Sequence, residues 1–171
     1  MNLVLIGYRG TGKSTIGKRL SEVLEMSYIS TDEEIVRRAG MTIPEIVSAF
    51  SWDHFRELEA EVIADVAARD HCVIDTGGGV VTRRENVRRL KRNGLVFLLE
   101  ARISDIIDRI RDGVDRPSLT GEQDFLSEVE QVLSARRPLY QEAADYVVNT
   151  SDLDVEAAVQ EIARRFRGYM G

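Results

Sequence analysis

Near the start of the chain, Gly7-Tyr8-Arg9-Gly10-Thr11-Gly12-Lys13-Ser14 matches the pattern G-x-x-x-x-G-K-[ST]. Glycines in such a loop let the backbone curl until its N–H groups converge on phosphate oxygens. Lys13 supplies a point charge suited to the β and γ phosphates, and the Ser14 hydroxyl suits magnesium. The predicted nucleotide contacts are Gly10, Thr11, Gly12, Lys13, Ser14 and Thr15. The pattern needs a strand before it and a helix after it. Asn2-Leu3-Val4-Leu5-Ile6 reads as a buried strand, and Ile16, Leu20, Val23 and Leu24 share one face of a helix from Ser14 to Leu24. That helix directs its positive end at the same anion.

The rest of the chain must supply the elements that hold this loop. Tyr28-Ile29 predicts a short second strand, with Asp32 capping a helix from Glu33 to Ala39 that Gly40 stops. Pro44 falls near the first turn of another helix, and Trp52 to Ala68 forms a long amphipathic one. Cys72-Val73-Ile74 predicts a third strand that ends at Asp75 and Gly77-Gly78-Gly79. Arg83 to Lys91 is helical, and Asn93-Gly94 ends it. Leu95 to Leu99 is unbroken and apolar, as in a strand buried on both faces. Ser104 is expected to cap a helix reaching about Arg111. Asp112 to Asp124 is polar, glycine-bearing and without period, and reads as a mobile excursion. Phe125, Leu126, Val129, Val132 and Leu133 mark a helix ending near Pro138. Tyr146-Val147-Val148 predicts the fifth strand, and Val155, Ala158, Val159, Ile162 and Phe166 line the closing helix. Strands that alternate with helices predict an α/β fold: a three-layer, P-loop-type arrangement with a five-stranded parallel sheet and helices on both faces.

Bulk composition narrows the classes. A length of 171 residues suits one domain with its own core. Hydrophobic residues make up 43% and charged residues 30%, and a net charge of -6 argues against nonspecific nucleic-acid binding. The single cysteine, Cys72, excludes an intrachain disulfide, and a reducing cytoplasm is the expected setting. No apolar run is long enough to span a membrane, and no basic region precedes the first apolar stretch, so neither an anchor nor a signal peptide is expected. No leftover apolar stripe demands a partner, so a monomer is expected. Only Lys13, Lys18 and Lys91 are lysines among 23 basic residues. Arginine recognises carboxylate and phosphate with two prongs, which lysine cannot do. Asn-Lys-x-Asp is absent, which disfavours a GTPase, and a motor or transporter ATPase would be much larger. A small-molecule kinase whose lid excludes water fits best.

Four further motifs sharpen this. They are Thr31-Asp32-x-x-Ile35 with Gly40 and Ile43; Phe55-Arg56-x-x-Glu59; Thr76-Gly77-Gly78-Gly79; and Arg116-Pro117-x-Leu119 followed by Arg136-x-Pro138-Leu139-Tyr140. In this order and at these separations the chain resembles the shikimate kinase family from residue 2 to about 165. The resemblance implies transfer of the ATP γ-phosphate to the 3-hydroxyl of shikimate, with magnesium as cofactor, in chorismate and aromatic amino-acid synthesis. It implies a substrate-binding segment at 32–62 and a lid at 112–124. Arg56 and Arg136 would clamp the substrate carboxylate, Glu59 would brace Arg56, and Gly77, Gly78 and Gly79 would let substrate lie against bare backbone. Asp32 would accept a hydrogen bond from the attacking hydroxyl. Arg116 would reach the phosphates from the lid, and Arg109 stands where the family packs an arginine on adenine. His54 and His71 are isolated and carry no expected role.

Two departures stand out. The family usually has Asp-x-Asp at the end of the second strand, and the first position here is Ser30. Asp75, at the tip of the third strand, is expected to take over the metal site together with Ser14, since a Walker-B aspartate occupies that place in other P-loop proteins. A loop-capping aspartate is the plainer alternative. After the last strand, Ser151-Asp152-Leu153-Asp154-Val155 lacks the family's basic or Asn residue followed by proline, which leaves base selectivity open. Alternatives at this level are another small-metabolite kinase, such as one acting on gluconate, and an inactive nucleotide-binding homologue.

Overall fold

Along β1 (Asn2–Ile6) successive side chains alternate between two apolar cores. Leu3 and Leu5 pack with residues of α1 (Lys13–Leu24) and α8 (Val155–Met170). Val4 and Ile6 pack with α4 (Trp52–Ala67), α5 (Arg84–Arg92) and α7 (Phe125–Ala143) on the other face. Burial on both faces is why β1 is apolar without interruption. The computed structural model describes residues 1–111 and 125–171. Its sheet also contains β2 (Ser27–Ser30), β3 (Cys72–Asp75), β4 (Gly94–Glu100) and β5 (Tyr146–Asn149). The order is β2-β3-β1-β4-β5, and every pairing is parallel. The expected three-layer α/β arrangement is therefore present.

This order decides where chemistry can occur. Ligands of open parallel sheets bind beyond the carboxyl ends of the strands, where the chain order switches direction. Here β1 lies between β3 and β4, so the crevice opens beside Gly7. The ends of β2 and β3 flank it, and Ser30 is the register partner of Asp75. No described helix is long and apolar enough to cross a membrane.

Several boundaries differ from the sequence expectation. Helix α2 (Thr31–Ala39) starts earlier, and its cap is Ser30, whose Oγ accepts from the Glu33 N–H at 3.3 Å. Ser30 is the last extended residue of β2 and Asp32 is already helical, so Asp32 is not the cap. Pro44 does sit in the first turn of α3 (Ile43–Ala49), behind a Thr42–Glu45 capping box. Ser104 lies inside α6 (Ile103–Arg111) and does not cap it. Helix α7 continues through Pro138 to Ala143. An internal proline costs about 3 kcal/mol, and burial of Leu133, Tyr140 and Ala143 around it offsets that loss. A short 3-10 turn at Val80–Thr82 was not foreseen. The lid assigned to 112–124, with Arg116, lies outside the described residues.

Candidate active site

The loop between β1 and α1 is shaped from within. Gly7 has φ 143, and a Cβ there would collide with the Leu99 carbonyl on β4. Lys13 is 8% exposed, and its Nζ donates to the Gly7 carbonyl at 2.7 Å and the Tyr8 carbonyl at 3.1 Å. The ammonium is thus held at the centre of the curl. Thr11 Oγ1 donates to the Tyr8 carbonyl at 2.8 Å, so this hydroxyl sets loop shape beneath the site. Thr150, just after β5, donates to the Thr11 carbonyl at 2.8 Å.

The strand tips meet beside the start of α1. Ser14 Oγ donates to Asp75 Oδ2 at 2.8 Å. Tyr28, from β2, donates its hydroxyl to the same oxygen at 2.7 Å. Asp75 is 4% exposed. Burial and the adjacent Asp75 carboxylate push the Tyr28 phenol well above its ordinary range, so it remains a donor. The Tyr28 ring lies over Gly17 of α1, where a Cβ would come within 3.0 Å of it. Thr76 Oγ1 donates to the Leu5 carbonyl at 2.8 Å, and the Gly77 N–H donates to Thr31 Oγ1 at 3.1 Å, which ties the glycine run to β1 and α2. A hydroxyl and a carboxylate 2.8 Å apart form an oxygen-only donor pair, the kind magnesium takes alongside phosphate and water. Among the described residues no cluster of three His, Cys, Asp or Glu could cage a metal unaided.

Beyond the glycines two guanidiniums converge. Arg56 Nη1 donates to Glu59 Oε1 at 2.9 Å, and that carboxylate is 1% exposed. Arg136 is buried, with Nη1 3.5 Å from where a Gly78 Cβ would stand. Tyr140 donates to the Gly78 carbonyl, and burial holds its phenol up at about 12. A Cβ on Gly79 would overlap the Arg56 guanidinium. Gly79 has φ -99, which any residue adopts, so the conflict is steric and falls on a movable side-chain end. Gly79→Ala should therefore keep the fold and melting temperature while displacing Arg56. Acceptor affinity should fall about tenfold, the loss of roughly one charge-assisted hydrogen bond. Calorimetric titration of shikimate into the variant checks this, and unchanged affinity would separate Gly79 from the clamp that the family resemblance implies.

A cavity of about 530 Å³ joins these parts. Gly10, Gly12, Lys13, Ser14 and Thr15 line its loop side. Asp32, Asp75, Gly77 and Gly78 line it from the segments that follow β2 and that end and follow β3. Arg136 adjoins it beside Gly78 and Arg56, held by Glu59, stands against Gly79, and none of these four lines it. Arg109 lines the cavity and donates to the Gly10 carbonyl at 3.1 Å and to the Thr150 carbonyl at 3.3 Å, so it ties the loop to the segment after β5. Sequence reasoning missed Tyr28, Thr31 and the cavity-lining Arg9. Tyr28 and Thr31 act across the β2–β3 pairing, which leaves no local signal, whereas Arg9 lay inside the motif as an unspecified position.

Comparison with known proteins places this geometry in a family. The model of the shikimate kinase family matches residues 9–167. The shikimate kinase of Caldicellulosiruptor bescii is 40% identical over 161 residues, spanning 94% of this chain and 92% of that protein. The shikimate kinase of Thermodesulfovibrio yellowstonii is 38% identical, spanning 96% of this chain and 94% of that protein. Among solved structures, the shikimate kinase of Acinetobacter baumannii in complex with shikimate superposes with a TM-score of 0.92 at 32% identity, covering 98% of this chain and 93% of that one.

Proposed function

The chain belongs to the shikimate kinase family of ATP-dependent phosphotransferases, and from that premise we propose how its own residues move the γ-phosphoryl group of ATP to the 3-hydroxyl of shikimate. The observation that carries the reading is the convergence of two sites on one cavity. A phosphate loop with a buried lysine faces Asp32 and the glycine run, and two arginines stand directly behind that run.

Phosphoryl transfer passes through a loose transition state, so catalysis is mainly positioning and charge stabilisation. Lys13 exchanges its loop carbonyls for phosphate oxygens when nucleotide binds. Arg56 and Arg136 grip the carboxylate, and Glu59 keeps Arg56 in place. Asp32 accepts a hydrogen bond from the attacking hydroxyl and aims it. Ser14 and Asp75 are the residues that would hold magnesium, which when bound neutralises charge on the β and γ phosphates. Arg116 is carried over from the family motif to the phosphates, and Arg109 to the adenine end. Every residue assigned a role comes from one chain, so the reading needs no second subunit and a monomer suffices.

ADP release measured with shikimate, with gluconate and without acceptor tests the reading. Release is expected with shikimate alone, and release with gluconate at an equal rate would overturn it. The clamp has its own test. Arg136→Lys loses the two-pronged contact and should weaken shikimate binding by about 1.5–3 kcal/mol, or about 10–100-fold. ATP affinity without shikimate should stay within about threefold. Equal losses for both ligands would mean damage to the fold.

A further inference from the structure

Arg9 has no part in the reaction as described, yet it occupies the junction of its two halves. It lines the same cavity as Lys13, Asp32 and Gly78. Its backbone nitrogen lies 3.5 Å from where a Gly78 Cβ would stand, so the phosphate loop approaches the glycine run closely at Arg9 as well as at the Gly7 carbonyl. Its side chain is 21% exposed, and Nε is buried with no hydrogen-bond partner among the described residues. The carboxylate paired with it, Glu128 of α7, is 4% exposed and has its Oε1 3.8 Å from Arg9 Nη2. That is an ion-pair distance and too long for a hydrogen bond. The Tyr8 ring beneath it lies 6.0 Å from the guanidinium carbon, at the edge of cation–π range.

A guanidinium carries five N–H donors and is always charged. Leaving such a donor buried and unmatched is unfavourable, and a catalytic role or a bound ion is among the explanations for one in a native site. The ligand must offer acceptors, because guanidinium has none, and the fixed positive charge favours an oxyanion. Two oxyanions meet in this cavity, the acceptor carboxylate and the phosphoryl group in transit. A carboxylate has two oxygens and about four acceptor sites. Arg56 and Arg136 already present enough donors to fill them. The phosphoryl oxygens are the acceptors left, and their surroundings need added positive charge as the group leaves ADP.

We infer that Arg9 is a further catalytic residue, which hydrogen-bonds the phosphoryl group as it passes between nucleotide and acceptor. The inference rests on the functional reading above. In the step itself the bond from the γ-phosphorus to the bridging oxygen of ADP breaks, and a bond to the acceptor oxygen forms. The acceptor proton leaves towards Asp32. Arg9 neither gives nor takes a proton and acts only through charge and hydrogen bonds.

The test compares the full-length parent with Arg9→Met and Arg9→Lys. Methionine keeps length and packing over Tyr8 but loses the charge, and lysine restores charge without the fork. Turnover of Arg9→Met should fall by about 10²–10³-fold, the effect of removing one charge-stabilising donor. Dissociation constants of ADP and of shikimate, each measured alone by calorimetry, should stay within about threefold. Arg9→Lys should recover part of the turnover. Inhibition by ADP with aluminium fluoride and shikimate, a mimic of the group in flight, should weaken in Arg9→Met. Turnover within threefold of the parent would overturn the inference. So would weaker shikimate binding with unchanged turnover, which moves Arg9 to the carboxylate clamp, or a lowered melting temperature that lysine does not correct. If the parent itself releases no ADP with shikimate, the functional reading fails first. If the parent turns over and Arg9→Met does so equally, only the role of Arg9 fails.

Discussion

Lys13→Ala is expected to lower phosphoryl transfer by on the order of 10³-fold or more, since in the mechanism proposed above the lost charge faces the group being transferred. The structure explains why the loss should be catalytic more than structural. Lys13 opens α1, and its ammonium donates to two carbonyls of its own loop, Gly7 and Tyr8. Alanine removes both bonds and leaves those carbonyls to water or to rearrangement, at about 1–3 kcal/mol. A domain with about 5–15 kcal/mol of stability tolerates that. Gly7 is also held by its positive φ and by the Leu99 carbonyl, which constrain the loop independently of Lys13. Circular dichroism should give a melting curve displaced by a few degrees at most, with cooperativity retained, while ADP release is nearly abolished. Turnover within about tenfold of the parent would remove the phosphate loop from the mechanism.

The parts of the molecule that could be read from sequence are those whose signals are local. The phosphate loop announces itself because an apolar strand and an amphipathic helix flank it within a few residues. Arg56 and Glu59 are three apart on one helix, so their ion pair follows from helical spacing. Helix boundaries were less legible. Whether Ser30 or Asp32 caps α2 depends on where β2 stops, which is set by pairing with β3. Helix α7 runs past Pro138 because tertiary packing outweighs the local preference. The contacts hardest to foresee join residues far apart in sequence. Tyr28 reaches Asp75 and Arg9 reaches Glu128 only after the strand order has been chosen.

The placement of Asp75 leads to an expectation that depends on two positions at once. Asp75→Ala should raise the magnesium concentration for half-maximal turnover by about 10–100-fold, the usual penalty when a carboxylate supporting a metal site is lost. Ser30→Ala should leave that concentration unchanged and cost only helix capping, about 0.5–2 kcal/mol. The reason lies in the sheet. Ser30 and Asp75 are register partners on adjacent parallel strands, about 4.8 Å apart, and both line the cavity. A carboxylate on either tip therefore faces the same region beside Ser14. Aspartate is as good a helix cap as serine, so Ser30→Asp preserves α2. Joined to Asp75→Ala, it should restore part of the magnesium affinity. In the parent background the same substitution should be harmful, because two neighbouring carboxylates oppose each other's ionisation. One substitution thus changes sign with the residue opposite it. Asp75→Ala also strands the hydroxyls of Ser14 and Tyr28, so Asp75→Asn, which keeps an acceptor oxygen without the charge, separates packing from electrostatics. Asparagine should show the same magnesium defect with a near-parental melting temperature. The decisive measurement is turnover against magnesium for the parent, the four single variants and the double variant. If Asp75→Asn titrates with magnesium like the parent, Asp75 braces Ser14 and Tyr28 and has no part in holding the metal.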